Sequence, residues 1–281
     1  MMDNQIVYLN GEYLPLADAK ISVMDRGFLF GDGVYEVIPA YSGQLFRLED
    51  HLGRLDNSLR SIRLQNPHSH EQWRNLLTRL LEQGLDQSVY LQITRGAAPK
   101  RDHAFPQNVT PTVFAMVSGI NPYADHDNGV KAISTEDSRW KLCDTKAITL
   151  LANVLLRQAA IDNGCAETIL FKEGYLTEGA ASNVFAVIDD VLMTPPKSPA
   201  ILPGITRDII LEIARKNDIP CSEQPISKDD FKKASEIWVT SSTREIIPIV
   251  ELDTEKIGNG KPGAVWKTFY KLFQEYKQSI R

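Results

Sequence analysis

The chain has 281 residues with 31 basic and 36 acidic side chains, a formal net charge of −5, so it lacks the general basic field by which nucleic acid is held. Cys143, Cys165 and Cys221 are odd in number and show no C-x-x-C spacing, which argues against a disulfide framework and a zinc site. No run approaches the roughly 18 apolar residues that span a bilayer, and the opening MMDNQIVYLNGEYLP lacks a charged region followed by an apolar stretch. Small-molecule chemistry in a reducing cytoplasm is expected, with no nucleic acid and no membrane as partner. This length suits two domains, and a chain of this size buries roughly 75% of its unfolded surface.

Residues 6–9 and 12–14 flank Asn10-Gly11, the strongest short-range hairpin signal, because both turn residues must take positive φ. In DRGFLFGDGVYEV, residues 25–37, Gly27, Gly31 and Gly33 punctuate a turn that feeds an extended run ending at Ser42-Gly43. Leu48, Leu52, Leu55, Leu59 and Ile62 then share one helical face, with Arg54 on another. A second helix carries Trp73, Leu76, Leu77, Leu80 and Leu81, and Val89, Leu91 and Ile93 alternate as a strand. The loop AAPKRDHAFPQ holds Lys100, Arg101 and His103, which by themselves read as a solvent-facing basic cluster. An apolar strand at 111–118 precedes GINP, residues 119–122, whose glycine and proline mark an interdomain linker. A small α/β domain is thus expected over 1–118 and a larger one over 123–281.

The larger domain opens with a strand at 130–134. Lys146 heads the run DTKAITLLANVLLRQAA, in which Leu151, Val154, Leu155 and Ala159 recur at helical spacing until Asn163-Gly164, where glycine permits a left-handed stop. Hairpins follow at 168–171 with 175–177 around Glu173-Gly174, and at 183–188 with 191–194 around Asp189-Asp190. Glu178 closes a short strand in YLTEGAASNVF. The proline-rich TPPKSPAILPG delivers Gly204-Ile205-Thr206 to a helix bearing Ile209, Ile210 and Ile213. Such a helix start leaves N–H groups unpaired and favours an anion, although Thr206 as a simple cap explains the same letters. The strand 237–239 leads into the hydroxyl-rich TSSTREI, and the last helix carries Trp266, Phe269, Tyr270 and Phe273 as core.

Taken singly, Lys146 and Glu178 are ordinary surface charges. Lys146, then TEGAASNVF, LPGITRD and TSSTREI in this order, together with DRGFLFGDGVYEV, resemble the class IV (fold-type IV) pyridoxal phosphate-dependent aminotransferases, and within them the D-amino acid branch. The resemblance spans almost the whole chain. It implies an α+β fold with a β-barrel-like core in the larger domain. It also implies pyridoxal 5′-phosphate as cofactor, joined to Lys146 and paired at its ring nitrogen with Glu178. Arg54, Ile205, Thr206, Ser241, Ser242 and Thr243 would take the phosphate, and Ser182, Asn183, Leu202 and Gly204 would complete the cofactor wall. Tyr35, with Arg101 and His103 reaching across a homodimer, would grip the carboxylate of a D-amino acid. That R-x-H pair separates the branch from its two rivals, the aminodeoxychorismate lyases and the branched-chain L-aminotransferases.

The chemistry explains the choice of groups. Breaking a Cα–H bond needs an electron sink that protein side chains lack. A carboxylate against the ring nitrogen favours its protonated form, and a lysine amine both holds the aldehyde and carries the proton. Transfer is then ping-pong between an amino acid and a 2-oxo acid. Two positions depart from the pattern: Ala180 and Ala181 stand where serines are common, and Arg244 replaces a small polar residue, as an extra cation for an acidic substrate side chain. A structural two-domain protein in which Lys146 is a surface lysine is the non-enzymatic alternative.

Overall fold

The computed structural model describes residues 5–121 and 126–280, so Pro122 of the expected linker lies outside the described residues. Two compact units divide the chain: Met1–Asn121 with Thr145–Thr149 and Ile280–Arg281, and Pro122–Asp144 with Leu150–Ser279. The segment bearing Lys146 therefore packs with the first unit, whereas the linear pattern counted it with the C-terminal domain. Backbone pairing is the reason: Tyr35 N–H donates to Lys146 O at 2.9 Å and Ile148 N–H to Gly33 O at 3.1 Å.

In the first unit, strands β1 (Ile6–Leu9) and β2 (Glu12–Pro15) form the expected hairpin, with φ of 50° at Asn10 and 104° at Gly11. Helix α1 (Arg26–Phe30), strands β3 (Gly33–Tyr41) and β4 (Gln44–Leu45), helices α2 (Leu48–Ser61) and α3 (His70–Thr78), and strands β5 (Gln87–Thr94) and β6 (Thr112–Gly119) follow. The sheet order is β2-β1-β6-β5-β3-β4, antiparallel throughout. Val34 and Ile38 of β3 and Val89, Leu91 and Ile93 of β5 alternate onto one face, where they cluster with Leu52, Leu55 and Leu59 of α2 and Trp73 and Leu77 of α3. That is the period-two, period-3.6 match the sequence displays.

Local chemistry adds two refinements. The expected turn at 25–33 contains a short helix, because the Asp25 carboxylate accepts from Gly27 N–H and Gly31 ends it at φ 68°. Strand β6 runs through Gly119, paired with Gln87, so the expected linker begins inside the sheet.

One core position of β3 is a carboxylate. Glu36 lies between Val34 and Ile38 on the buried face and is 0% exposed. Arg54 of α2, read from sequence as lying off the apolar face, is buried with it: Nε and Nη2 donate to the two carboxylate oxygens at 2.8 Å each. His51 Nδ1 is 2.8 Å from Oε2. Burial pushes the Glu36 carboxyl up, but the charge and hydrogen bonds of Arg54 and His51 outweigh it and hold it well below the usual range.

The second unit contains β7 (Val130–Glu136), α4 (Leu151–Asp162), β8 (Glu167–Lys172), β9 (Tyr175–Gly179), β10 (Asn183–Ile188) and β11 (Val191–Thr194). It continues with α5 (Ile205–Lys216), β12 (Cys221–Glu223), α6 (Lys228–Phe231), β13 (Glu236–Ser241), β14 (Glu245–Leu252), β15 (Glu255–Lys256) and α7 (Ala264–Gln278). Strand order is β12-β11-β10-β13-β14-β7-β8-β9, with β15 on β14. β9 at the edge also approaches β10, so the sheet curls back on itself in the barrel-like manner expected. Both predicted hairpin turns take the left-handed backbone, with φ of 53° and 81° at Glu173 and Gly174 and 49° and 61° at Asp189 and Asp190.

Two helices differ from their letters. Helix α4 buries Leu156 and Ala160 but leaves Leu151, Val154 and Leu155 72%, 59% and 62% exposed. In α7, Trp266, Phe269 and Phe273 are core, while Tyr270 is half-buried and stacks on Trp266 at 5.1 Å. Among the described residues no helix is long and apolar enough to cross a membrane.

Glu36→Gln is expected to destabilise the chain by about 3–5 kcal/mol near pH 7, because it removes the carboxylate charge that faces Arg54 in the core. Since the folded carboxyl titrates below its ordinary 4.5, the contribution is complete above that pH and is lost as pH falls through the folded value. Denaturant unfolding of both forms at pH 7 and pH 4 checks this: the gap narrows at the lower pH.

Candidate active site

In the first unit, β3 and α2 converge on Lys146. Its carbonyl accepts from Tyr35 N–H, its own N–H donates to Ser58 Oγ at 3.1 Å, and its Nζ lies 4.1 Å from the centre of the Tyr35 ring. Tyr35 also packs on Tyr90 at 5.7 Å. Ser58 follows Arg54 by one helical turn, so a single face of α2 carries both the arginine and the anchor for the lysine backbone. Successive residues of β3 point to opposite faces, which sends Tyr35 toward the amine and Glu36 toward Arg54. Tyr35 and Ser58 thus hold Lys146, and Arg54 lies one turn before Ser58 on α2. Glu36, His51 and Ser58 were missed, although Val34-Glu36-Ile38 shows a charge on an apolar alternation.

In the second unit, Glu178 ends β9 4% exposed. Oε2 accepts from Asn183 Nδ2 and from Leu202 N–H, both at 3.0 Å, and Oε1 accepts from Arg139 Nη1. Asn183 Nδ2 also donates to Leu202 O at 2.9 Å, closing a small ring of bonds around the carboxylate. Burial pushes this carboxyl up, to about 7, against the lowering pull of Arg139 and the Leu202 N–H. Arg139 was not singled out, because Asp-x-Arg in TEDSRW carries no distinctive spacing.

Gly204 is the N-cap of α5, and no side chain caps the helix. Thr206 is its second residue and is buried, so the capping explanation fails and the first-turn N–H groups of Ile205 and Thr206 face no side-chain cap. A Cβ at Gly204 would lie 1.9 Å from Asn183 Oδ1, which explains glycine there: the cage around Glu178 needs the space. Helix α5 packs on β13, whose end supplies Ser241, with Ser242 and Thr243 in the half-buried turn beyond it. The buried hydroxyl of Thr240, beside Ser241, has no hydrogen-bond partner among the described residues.

Arg244 is not a lone cation. Its Nη2 donates to Glu167 Oε2 at 2.8 Å, and Ser182 Oγ donates to the same oxygen at 2.8 Å. Glu167 is 0% exposed. The expected extra charge for an acidic substrate is therefore matched by a carboxylate, and both Arg244 and Ser182 face Glu167.

Arg101 and His103 are exposed on an irregular loop of the first unit. Both lie against Phe30 of α1, with the Arg101 guanidinium carbon 4.9 Å and the His103 ring 5.3 Å from its centre. Arg26 holds the loop by its carbonyls, donating to Asp102 O at 2.6 Å and to His103 O and Ala104 O at 3.3 Å. Asp32 fixes Arg26 in turn, at 2.7 Å.

A family model described as amino-transferase class IV matches residues 33–252. The chain is 40% identical to a D-alanine aminotransferase of Staphylococcus epidermidis over 97% of this chain and 98% of that protein. It is 38% identical to a D-alanine aminotransferase of Bacillus licheniformis over 95% of each. Among solved structures, the branched-chain amino acid aminotransferase from Escherichia coli superposes with a TM-score of 0.87 at 27% identity, covering 96% of this chain and 93% of that one. The branched-chain amino acid aminotransferase of T.th. with pyridoxamine 5′-phosphate shares the fold at a TM-score of 0.92 and 23% identity, over 100% of this chain and 96% of that one.

Gly204→Ala is expected to cost about 1–3 kcal/mol, the range for overfilling a packed site, because the methyl group displaces Asn183 from Glu178 and Leu202. Thermal unfolding beside wild type measures it, and an unchanged midpoint counts against the ring of bonds described.

Proposed function

From the premise that this chain belongs to the amino-transferase class IV family, we propose that it moves the amino group of a D-amino acid, of the D-alanine or D-glutamate type, to a 2-oxo acid by a ping-pong mechanism. The observation that carries this reading is Lys146, pinned through its backbone by Tyr35 and Ser58 with its amine over the Tyr35 ring, in a chain 40% identical to a D-alanine aminotransferase. The residues fit pyridoxal 5′-phosphate: an anchored amine, a caged carboxylate, an uncapped helix start, and a buried Thr240 hydroxyl lacking a partner next to a hydroxyl-rich turn.

When bound, that cofactor supplies the electron sink for the carbanion left at Cα. Lys146 Nζ would hold its aldehyde and, once displaced from it by the substrate amine, would carry the Cα proton. Glu178 would favour the protonated ring nitrogen, with Asn183 and Leu202 N–H orienting its carboxylate. Arg54, its Nε and Nη2 bound to Glu36, would turn its remaining N–H groups to the phosphate, and Ile205, Thr206, Ser241, Ser242 and Thr243 would offer N–H and hydroxyl donors. Gly204 leaves room for this arrangement. Ser182 and Arg244 act through Glu167, tying the TEGAAS turn to the TSSTRE turn. Tyr35, Arg101 and His103 orient the substrate carboxylate, which selects the enantiomer whose Cα hydrogen points at Lys146.

A homodimer belongs to the same reading, supported by the exposed Arg101-His103 loop and by the apolar face of α4 that the chain leaves uncovered. So does a cytoplasmic location, supported by three free thiols.

Lys146→Ala is expected to lose the yellow colour of the bound cofactor and at least ~10²–10⁴-fold in turnover, the worth of a positioned proton carrier. Borohydride reduction of wild type should add the cofactor mass at Lys146. A panel of D- and L-amino acids against 2-oxoglutarate and pyruvate should show D-alanine as donor and L-leucine inert; pyruvate release from aminodeoxychorismate without an acceptor would favour the lyase instead. Because Glu167 neutralises Arg244, Arg244→Ser should leave the ratio of acidic to neutral D-amino acid turnover unchanged.

A further inference from the structure

The bonds around Arg139 are arranged as a mount. Its Nε and Nη2 fork onto Asp137 at 2.9 and 2.7 Å, its backbone N–H donates to Asp137 Oδ1 at 3.0 Å, and Nη2 also donates to Ala200 O at 3.2 Å. Asp137 is fixed in turn by the Thr177 hydroxyl at 2.9 Å. With these contacts made, Nη1 is the nitrogen directed at Glu178 Oε1. The side chains of Arg139 and Glu178 are each 5% exposed, so water screens the pair weakly and the orientation is set before any ligand arrives.

We propose that Arg139 is a positioning residue for the transamination proposed above: mounted on Asp137, it biases Glu178 toward its ionised form and aims it, so that a proton shared with a bound pyridine nitrogen stays on the nitrogen. The inference rests on that functional reading and deepens it. A shared proton resides on the stronger base. Burial makes Glu178 a stronger base than an exposed glutamate, and Arg139 opposes this. Without the cation, Glu178 takes up the proton and donates a hydrogen bond to a neutral ring, and a neutral ring is the poorer electron sink. A clamp that merely fastened residues 137–140 to β9 would leave the protonation of a bound ring unchanged when Arg139 is replaced.

The test loads wild type, Arg139→Gln and Arg139→Lys with pyridoxal phosphate labelled with ¹⁵N in the ring and reads the nitrogen chemical shift. Wild type and Arg139→Lys are expected to show the cationic ring, and Arg139→Gln the neutral one, with slower Cα-proton removal. A cationic ring in Arg139→Gln overturns the proposal, as does a neutral ring in Arg139→Lys, which carries the test alone if the glutamine form does not fold. If wild type takes up no cofactor, the functional reading fails separately. The Glu178 carboxyl, ¹³C-labelled in the full chain and assigned with Glu178→Gln, then titrates about 1–3 pH units higher in Arg139→Gln than in wild type if Arg139 holds it ionised. An unmoved midpoint overturns the inference.

Discussion

A carboxylate taken out of water must be met by a cation and by hydrogen bonds, or it ceases to be a carboxylate. Among the described residues, cations meet buried carboxylates at Glu36 with Arg54, Glu178 with Arg139, Glu167 with Arg244 and Glu245 with Lys277. Apolar residues of similar size would be less demanding at each position. What the arrangement yields instead is direction: a guanidinium fork bound to a fixed carboxylate has its remaining nitrogens aimed, and a carboxylate so bound presents its lone pairs along fixed lines.

The secondary structure sets where these pairs lie within each unit. Alternation along β3 separates Tyr35 from Glu36, so one strand serves the amine on one face and the arginine on the other. The helical repeat of α2 puts Arg54 and Ser58 one turn apart, in step with the strand it packs on. Lys146 lies on a segment held to β3 by backbone bonds, so its position is a property of the sheet rather than of α4, which starts at Leu151. In the second unit, the tight turn between β9 and β10 brings Glu178 and Asn183 together, and Gly204 lets Leu202 close over them. Groups held this way lose little entropy when they act on a ligand, which is the main advantage of preorganisation.

Much of this was written in the letters. The hairpins around Asn10-Gly11, Glu173-Gly174 and Asp189-Asp190 are local turn chemistry, and the packing of α2 on β3 and β5 follows from apolar spacing. The helix start at Gly204-Ile205-Thr206 was legible from proline followed by glycine and a periodic run. Arg54, placed from its spacing on a polar face, proved buried, because the pattern of one helix cannot show that the opposing strand carries a glutamate. Helix α4 forms where its apolar spacing places it, yet Leu151, Val154 and Leu155 face outward, which the spacing alone does not show.

By itself the sequence determined the hairpins and the main helices and strands and, through its resemblance to a known family, the α+β class and the residue types for amino-group chemistry, because backbone propensity, side-chain period and motif order are properties of neighbours along the chain. The tertiary structure alone decided the partners. That Arg139 serves Glu178 across 39 residues, that Arg244 is answered by Glu167 across 77, and that Lys146 hangs from Tyr35 and Ser58 depends on which surfaces meet when sheets and helices pack. Electrostatic pairing acts through space at a few ångströms, and no local pattern encodes a distance that only folding creates.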